Sequence, residues 1–310
     1  MSDLKQEQIE QIRHALASSS LDYILHKLGD HWTIAIIMHA FLGVKQFDVF
    51  HKTLGVPRQT LSVRLKQLVE LGVFQRLGES SRGSYHLSPM GQALYPLTLI
   101  CHDWETRWGP GATAGTPVTG TPAASTPVLP KHIRHGDHVL QPQLICLHCS
   151  LPAGVTNVVP QYVAGCQAPE WSPVRARRGV ASGGGANQKL YMIGIVGNRW
   201  SMLLLTSVLL GCHRYDEMFA ALGLGSKILA DRLKSLCELG LLKKQTDLHD
   251  ARRYIYTATE AGRELFAFIV LISQWCEQWL LQGRGSIRLQ HQCGQLLAPK
   301  VVCRDCMQPM

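Results

Sequence analysis

The chain repeats itself, and that repeat constrains the fold more than any single motif does. Trp32 and Trp200, Asp48 and Asp216, Arg64 and Arg232, and the pairs Leu71-Gly72 and Leu239-Gly240 stay in register at an offset of 168 residues. Further on, an offset of 171 residues aligns Tyr85 with Tyr256, Gly91 with Gly262, Trp104 with Trp275 and Trp108 with Trp279. The extra residues fall at a loop tip, where insertion disturbs packing least. Two copies of one domain follow, and 310 residues suit two domains with linkers.

The first copy is built around residues 57–72. Leu61, Leu65 and Leu68 fall at helical spacing and give one apolar face. Pro57 suits the first turn of a helix, and Gly72 suits a left-handed stop. The other face offers Arg58, Gln59, Thr60, Ser62 and Lys66, all able to donate to phosphate or to base edges. Phe47–Leu54 reads as a short preceding helix, with Gly55 marking the turn. Val73 to Arg76, a basic Gly/Ser tip that includes Arg82, and Tyr85 to Leu87 read as a β-hairpin. Helix, turn, helix and wing together make a winged helix-turn-helix, whose second helix lies in a major groove.

The second copy presents Ser226, Lys227, Asp231 and Lys234, a face poorer in donors. Asp231 can accept from cytosine N4 but repels phosphate. Its wing carries Lys243, Lys244, Arg252 and Arg253, placed for phosphate contacts. Arg64 and Arg232 share one helix position, each followed directly by a core leucine, so base reading and bracing of the fold both remain open. Arg58 and Gln59, at the helix start, are the first choice for sequence reading, and Arg76 for phosphate.

Around these cores, residues 3–16 form a polar amphipathic helix whose apolar stripe fits a contact between units or between chains. Residues 21–28, 32–42 and 89–108 complete the first unit as helices, and Trp32 is expected to pack in the core. The expected organisation is a first winged domain over 1–110, a Gly/Ala/Thr/Pro linker over 111–130 and a knuckle over 131–152. A second linker (153–188), a second winged domain (189–283) and a second knuckle (284–310) follow. The second unit lacks a counterpart of the 3–16 helix. The fold class is mainly α with small β-wings.

The knuckles are a second repeat. Leu140-Gln141-Pro142 leads to Cys146 and Cys149, and Leu297-Ala298-Pro299 leads to Cys303 and Cys306. Cys-x-x-Cys after a short strand aims two thiolates at one tetrahedral metal. His291 and Cys293 are expected to complete the set with Cys303 and Cys306. His135 with Asp137 or His138 is expected to complete the set with Cys146 and Cys149, making the tail site the tighter one. Four protein ligands imply structural zinc. A redox pair is disfavoured, because no βαβ unit surrounds either motif.

Several ordered motifs resemble the HxlR-type winged-helix regulators of bacteria. In the first unit these are Leu28-Gly29-Asp30-His31-Trp32, Phe47-Asp48, Leu61 with Leu65, Glu70 to Phe74, and Ser88-Pro89-Met90-Gly91-Gln92. In the second they are Ile195 to Trp200, Tyr215-Asp216, Leu229 with Leu233, Glu238 to Leu242, and Thr259 to Arg263. The resemblance implies a DNA-binding transcription regulator that usually pairs as a homodimer through its terminal helices. This chain departs from the pattern by carrying two units and metal-ligand-like tails. Where some members have a sensing cysteine, it has Ser18-Ser19-Ser20, which speaks against that route.

A formal charge of +9 suits a polyanionic partner. No segment reads as a signal peptide or a membrane span, which gives a cytosolic reading, and paired cysteines in a reducing compartment point to metal rather than disulfides. No nucleophile triad, carboxylate pair or phosphate-binding glycine loop stands out, so an enzyme is not expected. Two readings remain: a regulator of transcription, in the main a repressor whose linked units read two half-sites, and an interaction scaffold with structural zinc. Arginine and lysine on the recognition helices and wings favour the first. The units are expected to pair within the chain, with a homodimer of tandems as the competing assembly.

Overall fold

The computed structural model describes residues 6–78, 83–109, 132–163, 191–247, 250 and 252–310. In the first unit α1 (Gln6–Ala17), α2 (Ser20–Leu28) and α3 (His31–Phe41) lead into α4 (Phe47–Leu54) and α5 (Arg58–Glu70). Asp30 starts α3 by accepting from the N–H groups of Trp32 and Thr33 at 3.1 and 3.3 Å. Leu61, Leu65 and Leu68 are buried, as their spacing requires, and Gly72 ends the segment with φ at +86°. The wing pairs β1 (Phe74–Leu77) with β2 (Ser84–Leu87), Phe74 opposite Leu87. Trp32 is half-buried against the core.

The stretch 89–108, expected as one helix, is two: α6 (Pro89–Gln92) and α7 (Tyr95–Trp108). Pro96 sits in the first turn of α7, where it has no N–H to offer the Gln92 carbonyl, so the helix restarts. Four strands follow: β3 (Arg134–His135), β4 (His138–Val139), β5 (Pro142–Cys146) and β6 (Val158–Tyr162). The last lies in the stretch read from sequence as linker.

The second unit holds α8 (Tyr191–Val196), α9 (Arg199–Leu209), α10 (Tyr215–Leu222), α11 (Ser226–Glu238) and the wing β7 (Leu242–Thr246) with β8 (Tyr254–Ala258). It ends in α12 (Glu260–Trp279), then β9 (Ile287–His291) and β10 (Pro299–Cys303). Ala267 stands in register with Pro96, and α12 runs unbroken. Gly91 and Gly262 are required alike. A Cβ would lie 2.2 Å from the carbonyl oxygen of Val73 in one unit and of Leu241 in the other.

The two units share one apolar core. α12 packs on α2 and α7, and the indole N–H groups make a reciprocal pair of bonds. Trp104 Nε1 donates to the Ala261 carbonyl and Trp275 Nε1 to the Met90 carbonyl, each at 2.9 Å. Met90 and Ala261 are themselves in register at 171, so this pair marks a pseudo-two-fold axis. The N-caps Asp30 and Asn198 form a β-bridge across the two units. α1 crosses over: Ile9, Ile12 and Leu16 are buried, and the helix packs on α10 and α9 of the second unit. The apolar stripe read as a contact face therefore meets the same chain. Arg199 adds a forked pair to the buried Asp22 at 2.6 and 2.9 Å.

The strands outside the wings form a third layer. β5 pairs antiparallel with β10, and β6 with β9. Ile100 of α7, Leu144, Val270 of α12 and Val301 pack together beneath it. That layer therefore sits on the two helices that hold the units together.

Candidate nucleic-acid interface and metal centres

Both recognition helices keep their apolar side on the core and leave the other open. Arg58 is 61% exposed, pairs with Asp48 at 3.0 Å and lies 5.0 Å from the centre of the Phe47 ring. A surface pair of this kind is worth at most about 1 kcal/mol, so exchanging Asp48 for a base edge is cheap. Gln59, Ser62 and Lys66 are exposed and Thr60 is half-buried. Lys66 pairs with Glu70 at 3.7 Å. Arg64 is held differently. Its Nε lies 3.3 Å from the Asp30 carboxylate and its Nη1 donates to Gln67 at 2.8 Å, so it ties α5 to the cap of α3.

In the second unit Ser226, Lys227 and Lys234 are exposed, and Arg232 is half-buried with its Nε lacking a hydrogen-bond partner. Tyr215 donates to the Ser226 carbonyl at 2.9 Å, holding the start of α11 against α10. On the wings Arg76 lies 5.9 Å from the centre of Tyr85, and Lys244 lies 3.7 Å from that of Tyr254. Lys243 is exposed, while Arg252 and Arg253 meet Asp250 at 3.5 and 3.3 Å. Arg82 lies outside the described residues.

The cysteine and histidine ligands converge in two groups of four, and the grouping corrects the sequence reading. One group is His135, His138, Cys303 and Cys306; the other is Cys146, Cys149, His291 and Cys293. In each group the ligand atoms lie within 4.8 Å of one another. Each centre thus draws a pair from one knuckle and a pair from the other, where the sequence reading closed each set within one segment. The pairing of β5 with β10 brings the two strands side by side and exchanges their ends.

The first centre shows which histidine nitrogen faces inward. His138 Nε2 lies 3.2 Å from Cys303 Sγ, while its Nδ1 meets the Asp137 carboxylate at 3.4 Å. Asp137 therefore orients His138 rather than replacing it as a ligand. Cys306 Sγ lies 3.9 Å from His135 Nδ1. Burial opposes ionisation of Cys303, but backbone groups of Gln141 and Asp305, with the His138 ring, outweigh it and bring the thiol down to about 6.

In the second centre His291, fully buried, turns Nδ1 to Cys149 Sγ at 3.4 Å and Nε2 to the Pro152 carbonyl at 3.2 Å. Burial raises Cys146, but the backbone of His148 and Ala298 and the side chain of Cys293 bring it below the usual thiol range. Cys149 is raised: the backbone at Leu151 lowers it, and burial with the neighbouring Cys293 and Cys146 prevails. The sequence offers Asp137 as a ligand, and the structure makes it instead the partner of the His138 ring; the Pro152 carbonyl behind His291 has no signal in the sequence.

Compact sets of sulfur and imidazole nitrogen suit a tetrahedral metal, whose ligands stand roughly 3.3–3.8 Å apart. The donor chemistry fits, and both groups can bind a metal ion. The cysteines elsewhere differ: Cys101 is buried and pushed up by that burial, as are Cys212 and Cys276, each to about 12.

The description "HxlR-like helix-turn-helix" matches residues 27–112 and again 195–284, together more than half of the chain. This chain belongs to the HxlR-like helix-turn-helix family. Both copies are matched, each across its recognition helix and wing, so the HxlR-like protein is a tandem member with the DNA-binding architecture of a transcriptional regulator. It is 32% identical to the uncharacterised HTH-type transcriptional regulator MT3179 of Mycobacterium tuberculosis over 156 residues, 49% of this chain and 91% of that one. It is 32% identical to the uncharacterised HTH-type transcriptional regulator YvaP of Bacillus subtilis over 89 residues, 28% of this chain and 82% of that one. The crystal structure of PA1607 matches at 30% identity and a TM-score of 0.28, over 36% of this chain and 81% of that one. Among the described residues no helix is long and apolar enough to cross a membrane.

Proposed function

We propose that this HxlR-like protein is a cytosolic, non-enzymatic repressor whose two winged helices bind two half-sites of duplex DNA. Two structural zinc ions hold its knuckles together. The observation that carries the reading is the outward face of α5, where Arg58, Gln59, Ser62 and Lys66 stand exposed on a helix braced from behind by Arg64. A bound repressor occludes polymerase without needing a catalytic group. Zinc is the metal because four sulfur and nitrogen ligands satisfy its tetrahedral preference and leave no position open for water. Within the interface Arg58, Gln59, Thr60 and Ser62 read bases, and Ser226 and Lys227 do so in the second unit. Lys66, Arg76, Arg82, Arg232, Lys234, Lys243, Lys244, Arg252 and Arg253 hold phosphate, while Arg64 positions α5.

Gel-shift titration at two salt concentrations tests this. Arg58→Ala and Gln59→Ala are each expected to weaken specific binding by about 1–3 kcal/mol. Lys243→Ala weakens binding to every sequence and flattens the salt dependence. Equal binding by wild type and a combined Arg58→Ala, Gln59→Ala and Lys227→Ala variant would count against the assignment.

The active assembly is one chain acting as its own dimer, because α1, α7 and α12 are already used between the units. Light scattering at micromolar concentration should give a mass near the 34.4 kDa of one chain. Twice that mass would make the tandem a subunit of something larger.

A further inference from the structure

The two recognition helices share their scaffold and differ where bases are read. Leu61, Leu65 and Leu68 recur as Leu229, Leu233 and Leu236, all buried, and Arg64 recurs as Arg232. At the far end the pair Lys66–Glu70, at 3.7 Å, recurs as Lys234–Glu238 at 3.8 Å. In the first two turns every outward position has changed. Ser226 stands in register with Arg58, Lys227 with Gln59, Ile228 with Thr60, Ala230 with Ser62 and Asp231 with Val63. Core packing does not ask for these changes, because all of these positions but the half-buried Thr60 face solvent.

Their chemistry differs as much as their identity. Arg58 can donate twice to a guanine edge, and Gln59 can donate to adenine N7 while accepting from its N6 amine. Ile228 is 44% exposed in the first turn of α11, an apolar group suited to the thymine methyl. Asp231 accepts from cytosine N4, whereas Val63, 47% exposed, offers only an apolar contact. Two identical subunits must read identical half-sites, so a homodimer selects a palindrome. Fusion of two copies removes that restriction while the pseudo-two-fold axis, marked by the reciprocal Trp104 and Trp275 bonds, keeps the half-sites inverted.

We propose that the protein reads a non-palindromic operator: two inverted half-sites of unlike sequence, one read by donors on α5 and the other by Ile228 and Asp231 on α11. The inference rests on the DNA-binding reading above. Selection from random duplexes with the full-length protein tests it, and the enriched site is expected to contain two different half-sites. Replacing the α11 half-site by an inverted copy of the α5 half-site should weaken wild-type binding by at least about tenfold.

A variant carrying Ser226→Arg, Lys227→Gln, Ile228→Thr, Ala230→Ser and Asp231→Val should reverse that preference and select an inverted repeat. All five positions are exposed, and an unchanged melting temperature checks the fold. A palindrome enriched by the wild type would overturn the inference and leave DNA binding standing. A variant that melts normally and keeps the wild-type site would also overturn it. Enrichment of no sequence would overturn the DNA-binding reading itself.

Discussion

Combining Cys146→Ser with His291→Ala should cost the protein one zinc ion, while combining Cys303→Ser with His291→Ala should cost it two. The first pair of ligands belongs to one centre although the residues lie in different knuckles, and the second pair is split between centres. Knuckles that closed on themselves would give the reverse result. Elemental analysis of protein purified under reducing conditions reads the difference, against two zinc ions for wild type. The centre with three thiolates should hold its metal longer against a chelator, since thiolate is the softer ligand. Structural zinc contributes on the order of 10 kcal/mol to small domains, so full removal should lower the melting temperature by about 10 °C or more. Chelation that leaves the melting temperature unchanged would mean that the sulfur and imidazole clusters hold no metal in the folded protein.

Arg199→Met should destabilise the chain by about 3 kcal/mol, because it leaves the Asp22 carboxylate buried without its partner. Asp22 is only 5% exposed at its side chain and accepts both nitrogens of the Arg199 fork. The double variant Asp22→Leu with Arg199→Met should recover most of that loss, since no charge then remains buried. Urea unfolding of the singles and the double makes a cycle that isolates the coupling. Because α2 and α9 belong to different units, the single variant should also loosen the pairing. A double variant as unstable as Arg199→Met would mean that the residues contribute through packing and not as a charge pair.

The winged helices were legible because their signals are local. Leucine spacing in 57–72, a stop glycine and a hairpin all act within one helix or one turn, and a repeated register made each signal count twice. The break before α7 was also local: Pro96 stands where the second copy has Ala267. Other features depended on chain segments far apart. Val158 to Tyr162 reads as linker until β9 supplies the opposite strand, with Val158 facing His291. A Cys-x-x-Cys motif announces a pair of ligands but carries nothing about which strand its own strand will join, so the partner histidines were assigned to the wrong centre. The contact role of the first helix was readable from its narrow stripe; the helices that receive it were not.

The exchange of ligands between knuckles has a consequence for how the protein is made. Cys149 and His291 are 142 residues apart, and His135 and Cys306 are 171 apart. At about 5–20 residues per second, a ribosome needs on the order of 10 s to travel between them. During that interval each centre has only two of its four ligands, and the shared core lacks the helices of the second unit. Neither closes until the second winged helix has already emerged. Assembly of both four-ligand centres therefore requires that translation has passed through both copies.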